Sequence, residues 1–227
     1  MTVPRTPLPL RDELFLIGHD DDNGQPYIDR QALALGLAGA VLIDLFLAGR
    51  IVLTSAKDDS HPAVEQWLHL RSYQPVGDLI ADSAIGYIRH GHANPPVREF
   101  LLGFADDLYE RARAGLVAAG ILRQTTRRRL GGLVHTDTYL LTDSRWSIVA
   151  RTRLRYVAEG REQPDSHTGA LAGLVAALGL TTYLHLDEDV DALTAYLAAI
   201  AREHHQSVQA ITAAVDTAVG DLTTTYR

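Results

Sequence analysis

The sequence contains no cysteine among its 227 residues. Disulfide frameworks, thiol nucleophiles and zinc sites built from cysteine are therefore excluded. Aromatic residues are also scarce, at 7% of the chain, whereas alanine and leucine are abundant. Because β-sandwich cores depend on aromatic and β-branched side chains, this composition favours closely packed helices. We therefore predict a mainly α-helical protein, formed as a single domain over residues 1–227.

No uninterrupted apolar run reaches the roughly 20 residues that span a bilayer. The longest run, residues 32–48, contains Asp44 and is predicted to be a buried core helix. The first residues lack an apolar segment of signal-peptide length, so residues 1–7 are expected to form a flexible arm. The sequence thus predicts a cytoplasmic protein, and any contact that it makes with a membrane is expected to be peripheral.

Motifs that carry catalysis or bind cofactors are also missing from the sequence. It has no glycine-rich phosphate loop with a lysine, no nucleophile elbow and no spacing typical of metal ligands. The acidic turn at residues 20–26 resembles a calcium loop only superficially, because alignment on Gly24 puts Arg30 where a bidentate carboxylate is required. We predict a protein with no catalytic residues, no metal and no cofactor.

Basic charge, in contrast, is concentrated in one segment, residues 111–155. This segment holds ten arginines and two acids, a net charge of +8, so the rest of the chain carries −7 minus 8, or −15. Segregation of charge on this scale indicates an anionic partner rather than a particular fold. Phospholipid headgroups and nucleic acid are the two classes of partner to consider.

A β-hairpin is predicted at the centre of the basic segment. The turn pair Gly131 and Gly132 lies between two arms of nine residues, over residues 122–141. Pairing about this turn sets Arg127 opposite Thr136 and leaves Arg128 on the other face. The candidate lipid-binding residues of the hairpin are its arginines and the leucines at its tip: Arg123, Arg127, Arg128, Arg129, Leu130 and Leu133.

Two uses of this hairpin fit its composition. At an anionic membrane surface, each arginine contributes about 1 kcal/mol while the leucines enter the interface. Alternatively, the hairpin is an oligomer contact whose arginines pair with acidic helices of a neighbouring copy. The two uses are compatible. We therefore expect the protein to bind an anionic membrane surface and to form a homo-oligomer through residues 122–141. A role as an adaptor that binds another protein is left open.

A nucleic-acid-binding regulator is the alternative. An apolar helix, a glycine and then a hairpin form the layout of a winged-helix module, in which the hairpin follows phosphates and a helix enters the major groove. The helix before the hairpin, residues 105–119, offers only Arg111 and Arg113, and no Asn or Gln for reading bases. Nucleic acid is therefore the less favoured partner.

Hydrophobic periodicity and capping residues predict the remaining elements. Short strands are expected at residues 51–54 and 65–73, paired with each other. Helices are predicted at residues 8–18, 29–48, 79–90, 97–104, 105–119, 144–156, 167–178, 187–204 and 207–222. Gly36 and Gly39 leave one face of the long second helix small enough for another helix to approach closely.

The order and spacing of several motifs resemble those of the Golgi phosphoprotein three family over about residues 8–200. The motifs are Leu10–Ile17, Gly36–Leu45, Gly49–Leu53, Pro75–Asp78, Gly115–Leu122 and a hairpin ending Leu141–Asp143. The resemblance implies a helical bundle core wrapped by amphipathic helices, with a protruding hairpin used in self-association close to the membrane face. It also implies a non-enzymatic role, since eukaryotic members bind phosphatidylinositol 4-phosphate. The composition looks like that of a bacterial relative.

The resemblance further implies where a headgroup phosphate binds. In eukaryotic members a Trp and three Arg hold it, at positions that correspond here to Asp29, Ala38, Asp106 and Tyr109. None of these four residues carries a phosphate-binding side chain. Arg30 and Arg111 lie next to the altered positions and are the candidate substitutes.

Overall fold

The computed structural model describes residues 7–56, 65–90, 94–129, 134–184, 189–203 and 205–225. Most of these residues lie in helices: α1 (Leu10–Ile17), α2 (Arg30–Leu47), α3 (Leu79–His90), α4 (Val97–Phe104), α5 (Leu108–Ala118), α6 (Arg145–Ala158), α7 (Ser166–Ala177), α8 (Val190–Glu203) and α9 (Gln206–Thr225). Two antiparallel hairpins pair β1 (Ile51–Ala56) with β2 (Glu65–Leu70) and β3 (Leu122–Arg129) with β4 (Val134–Leu141). The predicted mainly α-helical class is confirmed.

Helix α2 forms the centre of the core. It begins at Arg30 because the carboxylate of Asp29 accepts hydrogen bonds from the amides of Gln31 and Ala32, at 2.8 and 3.3 Å. By length and composition alone this helix could cross a membrane, with a mean hydropathy of 1.6 over 18 residues, but 72% of it is buried inside the fold. The burial confirms the predicted core helix.

Two glycines of α2 let other helices approach it closely. A Cβ atom on Gly36 would lie 2.5 Å from the side chain of Leu178, at the end of α7. One on Gly39 would lie 2.5 Å from the side chain of Val215 on α9. The small face predicted for α2 is therefore used for helix packing, and α1, α4 and α5 cover its other sides.

The two hairpins differ in how well the sequence predicted them. Strand β2 ends at Leu70, before the predicted limit, because the amides of Arg71 and Ser72 both turn to the carbonyl of Arg50. The backbone register of β3 and β4 is the predicted one and pairs Arg127 with Thr136, Arg128 with His135 and Arg129 with Val134. The predicted turn, residues 130–133, lies outside the described residues.

Ion pairs join helix α1 to α3, α6 and α7. Arg11 donates two hydrogen bonds to the carboxylate of Asp78, at 2.9 and 2.6 Å. Asp78 also caps α3, because its carboxylate accepts hydrogen bonds from the amides of Ile80 and Ala81. Glu13, with a side chain only 3% exposed, contacts Arg153 of α6 and, at 3.1 Å, His167 of α7. An arginine and a histidine thus contact one buried carboxyl group.

Two other carboxyl groups beside α1 favour the neutral form. Asp44 of α2 accepts a hydrogen bond from the Leu10 amide at 3.0 Å, and burial raises its pKa from 3.8 to about 7. Burial likewise raises the pKa of Asp12 to about 6, against the opposing attraction of Arg11. Both groups therefore make folding less favourable as the pH rises from about 4 towards their folded-state pKa values.

Candidate functional site

The four positions that the resemblance assigns to phosphate binding have other uses in this fold. The carboxylate of Asp29 caps α2, and Ala38 is completely buried in the core. Asp106 is exposed in the turn before α5. Tyr109 is almost fully buried on α5. The fold therefore has no basic side chain at any of these positions, and cations near them come from neighbouring residues.

Two guanidinium groups converge on the ring of Tyr109. The guanidinium carbon of Arg30, at the start of α2, lies 5.1 Å from the ring centroid. That of Arg113, one turn further along α5, lies 6.0 Å from it. Glu110 is the acid of this group, since it contacts Arg113 and lies 3.9 Å from Arg30. We call the assembly of Arg30, Tyr109 and Arg113, with His19 and Tyr139 behind it, the arginine–tyrosine corner.

The hydroxyl of Tyr109 is fixed by a buried histidine. His19 lies just beyond α1, with Nδ1 2.6 Å from the carbonyl oxygen of Phe15 and Nε2 2.8 Å from the Tyr109 hydroxyl. Burial lowers the pKa of His19 to about 4, so its ring is neutral at pH 7. Because a carbonyl only accepts, Nδ1 carries the proton and Nε2 accepts from Tyr109. The ring beneath the two guanidiniums is therefore held in one orientation.

Arg113 also connects the corner to the second hairpin. Its guanidinium carbon lies 4.0 Å from the centroid of the Tyr139 ring on β4. The same strand packs against the acidic turn, since a Cβ atom on Gly24 would lie 2.1 Å from the carbonyl oxygen of Tyr139. The carboxylate of Asp20 accepts two backbone amides within that turn. The base of the hairpin is thus fixed against the corner.

Arg30 and Arg111, the two candidate substitutes, are not brought together. Arg111 donates to Ser83 of α3, pairs with Asp107 at 3.3 Å and lies 5.4 Å from the ring of Phe104. Arg113 shares the corner with Arg30 instead. The sequence signal for it was the spacing of Tyr109 and Arg113, which is one helical turn and places both side chains on one face. His19 and Tyr139 had no such local signal.

The hairpin residues predicted to bind lipid are described only in part. Arg123 is exposed on β3 and forms no ion pair with any part of the chain that the structure describes. For Arg127, Arg128 and Arg129 the structure describes the backbone and not the side chains. Leu130 and Leu133 lie outside the described residues altogether. The lipid-binding role of all six residues stays a prediction.

Folding neutralises much of the basic segment. Of its ten arginines, seven have described side chains, and six of these seven form ion pairs: Arg111, Arg113, Arg145, Arg151, Arg153 and Arg155. Two arginines of α6, Arg151 and Arg153, do not contribute to an exposed basic surface. They point inward, Arg153 to Glu13 and Arg151 to Asp21 at 3.6 Å and the carbonyl of His19 at 3.1 Å.

A known protein family matches most of the chain. The family model for Golgi phosphoprotein 3 (GPP34) matches residues 10–222. The chain belongs to this family. The match begins at α1 and ends inside α9, so it includes both the arginine–tyrosine corner and the second hairpin. GPP34 membership suggests a non-enzymatic lipid-binding or adaptor role in general, which the geometry of the corner can make more specific.

Proposed function

We propose that this GPP34 protein is a non-enzymatic peripheral membrane protein that binds anionic phospholipid headgroups. The observation that carries the proposal is the convergence of Arg30 and Arg113 on Tyr109. Guanidinium groups bind phosphate oxygens through paired N–H donors, and two of them beside a fixed ring define a direction of approach. The family resemblance supports phosphate binding in the same part of the fold, although by different side chains.

The availability of Arg30 supports this role. Its side chain is 56% exposed, and its nearest acid, Glu110, is 3.9 Å away and itself 51% exposed. An exposed pair at this distance is weak and is easily exchanged for another anion. Arg30 also lies at the N-terminus of α2, where the helix dipole favours negative charge, although Asp29 already satisfies two of the amides there. A phosphate can therefore replace Glu110 as the partner of Arg30.

The basic hairpin is proposed to add contacts over a wider area of membrane. Arg123 has no competing acid in the described residues, and Arg127, Arg128 and Arg129 follow it along β3. Near an anionic surface each arginine contributes about 1 kcal/mol. Leu130 and Leu133 are proposed to enter the interface between headgroups and acyl chains. Because β4 packs on the corner through Tyr139, the two sets of arginines belong to one connected part of the fold.

Vesicle co-sedimentation tests the proposal. The full-length protein is expected to sediment with vesicles of phosphatidylcholine mixed with phosphatidylserine or phosphatidylinositol 4-phosphate, and not with phosphatidylcholine alone. Arg30→Ala together with Arg113→Ala should weaken binding, by about fivefold for each arginine. Glu110→Gln should strengthen it, since it removes the competing acid. Arg127, Arg128 and Arg129 changed together to Ala should weaken it further.

Arg98→Ala is the matched control. Arg98 is an exposed arginine paired with Asp221 at the α4–α9 contact, away from the corner. Its loss should leave vesicle binding unchanged. Binding that is absent, or that falls equally in Arg98→Ala and in the corner variant, would contradict a headgroup site at the corner.

Self-association through residues 122–141 is the second part of the proposal. The acidic remainder of the chain, at −15, offers partners for the hairpin arginines of a neighbouring copy. Light scattering should report a lower mass for the triple arginine variant than for the wild type, most clearly at low salt. An unchanged mass would contradict the hairpin contact. Duplex DNA is a weaker alternative, because α5 carries no Asn or Gln to read bases and its Arg111 is paired with Asp107.

A further inference from the structure

Helix α6 carries large apolar side chains on its outward side as well as on the side that packs on the core, and the outward ones lie among Arg145, Thr152 and Arg155. Its inward residues, Ser147, Ala150, Leu154 and Val157, are buried. The opposite face carries Ile148, Val149 and Tyr156, which are between 37% and 51% exposed. Tyr156 follows Val149 by seven positions and Ile148 by eight, about two helical turns, so the three lie along one side of the helix. An amphipathic helix on a protein surface normally presents polar residues there.

A residue of α8 widens this stripe. Tyr196, 44% exposed, donates a hydrogen bond from its hydroxyl to the carbonyl oxygen of Val157 at 3.4 Å. Four of the nine large hydrophobic side chains that are exposed in the described part of the chain therefore lie on or beside α6. Clustering of this kind marks an interaction surface, whereas singly scattered apolar residues do not. We call Ile148, Val149, Tyr156 and Tyr196 the α6 patch.

Both ends of α6 carry charges of both signs. At its N-terminal end Arg145 donates to Asp143 at 2.8 Å. At its C-terminal end Glu159 accepts from Arg155 at 2.8 Å and pairs with Arg161 at 2.7 Å. An anionic membrane would attract the arginines and repel the two acids equally close to them. A surface that carries the same charges in the opposite order along the helix would attract both the arginines and the acids.

A second copy of α6 is such a surface. In an antiparallel pair of α6 helices centred on Thr152, Ile148 faces Tyr156 of the partner subunit, and Arg145 faces Glu159 of the partner subunit. Each contact occurs twice, as a twofold axis requires. Thr152 lies on the outward stripe between Ile148 and Tyr156, and its small side chain allows the helices to approach closely. The apolar stripe and the terminal charges are therefore both self-complementary about one centre.

We propose that the α6 patch is a dimer interface in which α6 packs antiparallel on α6 of a second copy. This contact is separate from the hairpin contact and does not depend on headgroup binding. A helix of 14 residues is about 21 Å long. Since a contact of this length is smaller than that of a permanent dimer, we expect the dimer to dissociate on dilution.

The absence of cysteine from the chain allows a direct test by disulfide trapping. Thr152→Cys places one thiol beside the proposed twofold axis. Oxidation of the full-length variant should give a covalent dimer on non-reducing gels, in the wild-type background and with Arg127, Arg128 and Arg129 changed to Ala. Thr217→Cys, at an exposed position on α9, is the matched control and should stay monomeric. Equal trapping of both variants, no trapping of either, or trapping lost with the hairpin arginines would overturn the proposal.

Charge exchange provides a second test that requires no cross-link. Arg145→Glu alone and Glu159→Arg alone each replace two attractive contacts with two repulsive ones, so each should weaken dimerisation roughly tenfold. An equimolar mixture of the two variants pairs Glu with Arg at both contacts and should recover the wild-type mass in sedimentation. Circular dichroism checks that each variant is folded. A mixture no more associated than its components would overturn the antiparallel arrangement.

Discussion

Arginines that are close together in the sequence serve two different purposes in this protein. Arg151 and Arg153 of α6 point inward and hold α1, the second through the buried carboxylate of Glu13. Arg113, on α5, instead lies with Arg30 beside the ring of Tyr109, where the side chain of Arg30 is 56% exposed. All but Arg30 belong to the segment whose net charge is +8. Charge density along a chain therefore does not measure the charge that a folded surface presents.

The physical basis of the difference is the partner that each guanidinium meets. A carboxylate removed from water, such as that of Glu13, is tolerated only when cations and hydrogen bonds surround it. An arginine committed to that task cannot also bind a ligand. An exposed arginine whose acid is distant and solvated, such as Arg30, can exchange its partner. The inner arginines thus contribute to stability, whereas Arg30 can take part in recognition.

The largest expected effect on stability is at the inward-pointing arginines. Arg153→Met leaves the buried carboxylate of Glu13 without its guanidinium partner, so we expect a loss of about 3 kcal/mol in the free energy of unfolding. Urea denaturation at pH 7 measures this loss. Arg145→Met is the matched control, because its ion pair with Asp143 is on the surface, and it should have no measurable effect. Similar losses of stability in both variants would contradict the distinction between inward-pointing and exposed arginines.

A second prediction concerns Asp44, a buried carboxyl beside α1. Since burial raises its pKa to about 7, the folded protein binds a proton that the unfolded chain releases near pH 4, and stability falls as the pH rises between these values. Asp44→Asn keeps the acceptor for the Leu10 amide. We expect it to stabilise the protein by about 2 kcal/mol at pH 8 and to have little effect at pH 4. Denaturant titrations across this range would measure the change, and a gain independent of pH would contradict it.

A smaller effect is expected at the outer site. Tyr109→Phe removes the hydroxyl that donates to Nε2 of His19 and leaves that buried acceptor unsatisfied. We expect a loss of about 1 kcal/mol in stability. Because the aromatic ring remains beneath Arg30 and Arg113, vesicle binding of the folded protein should be nearly unchanged. If vesicle binding were abolished while stability stayed the same, the hydroxyl itself would be part of the recognition site.

The smallest effect on stability is expected for Arg123→Ala. Arg123 is exposed and has no ion pair among the described residues, so the free energy of unfolding should not change measurably. Vesicle binding should nevertheless fall by about fivefold, as for the arginines of the corner. The opposite result, a stability loss with binding intact, would assign Arg123 to the inner group.

Several features followed directly from the sequence. Helix α2 was predicted as a core helix because the run over residues 32–48 is almost entirely apolar. The register of β3 and β4 followed from the Gly131–Gly132 turn, since counting outward from a turn fixes every pair. These features depend on residues that are neighbours along the chain, so a periodic pattern or a capping residue is sufficient to predict them.

Only the tertiary structure decided which charged residues are exposed and able to bind a ligand. The arginine–tyrosine corner joins His19, Arg30, Tyr109 and Tyr139, which come from four separate parts of the sequence and meet only when α1, α2, α5 and β4 pack together. Whether an arginine is neutralised likewise depends on a distant acid, as Arg153 depends on Glu13. The sequence determined the elements and the total charge. Packing determined where that charge is exposed, because ion pairing and burial are properties of residues in space and not of their order.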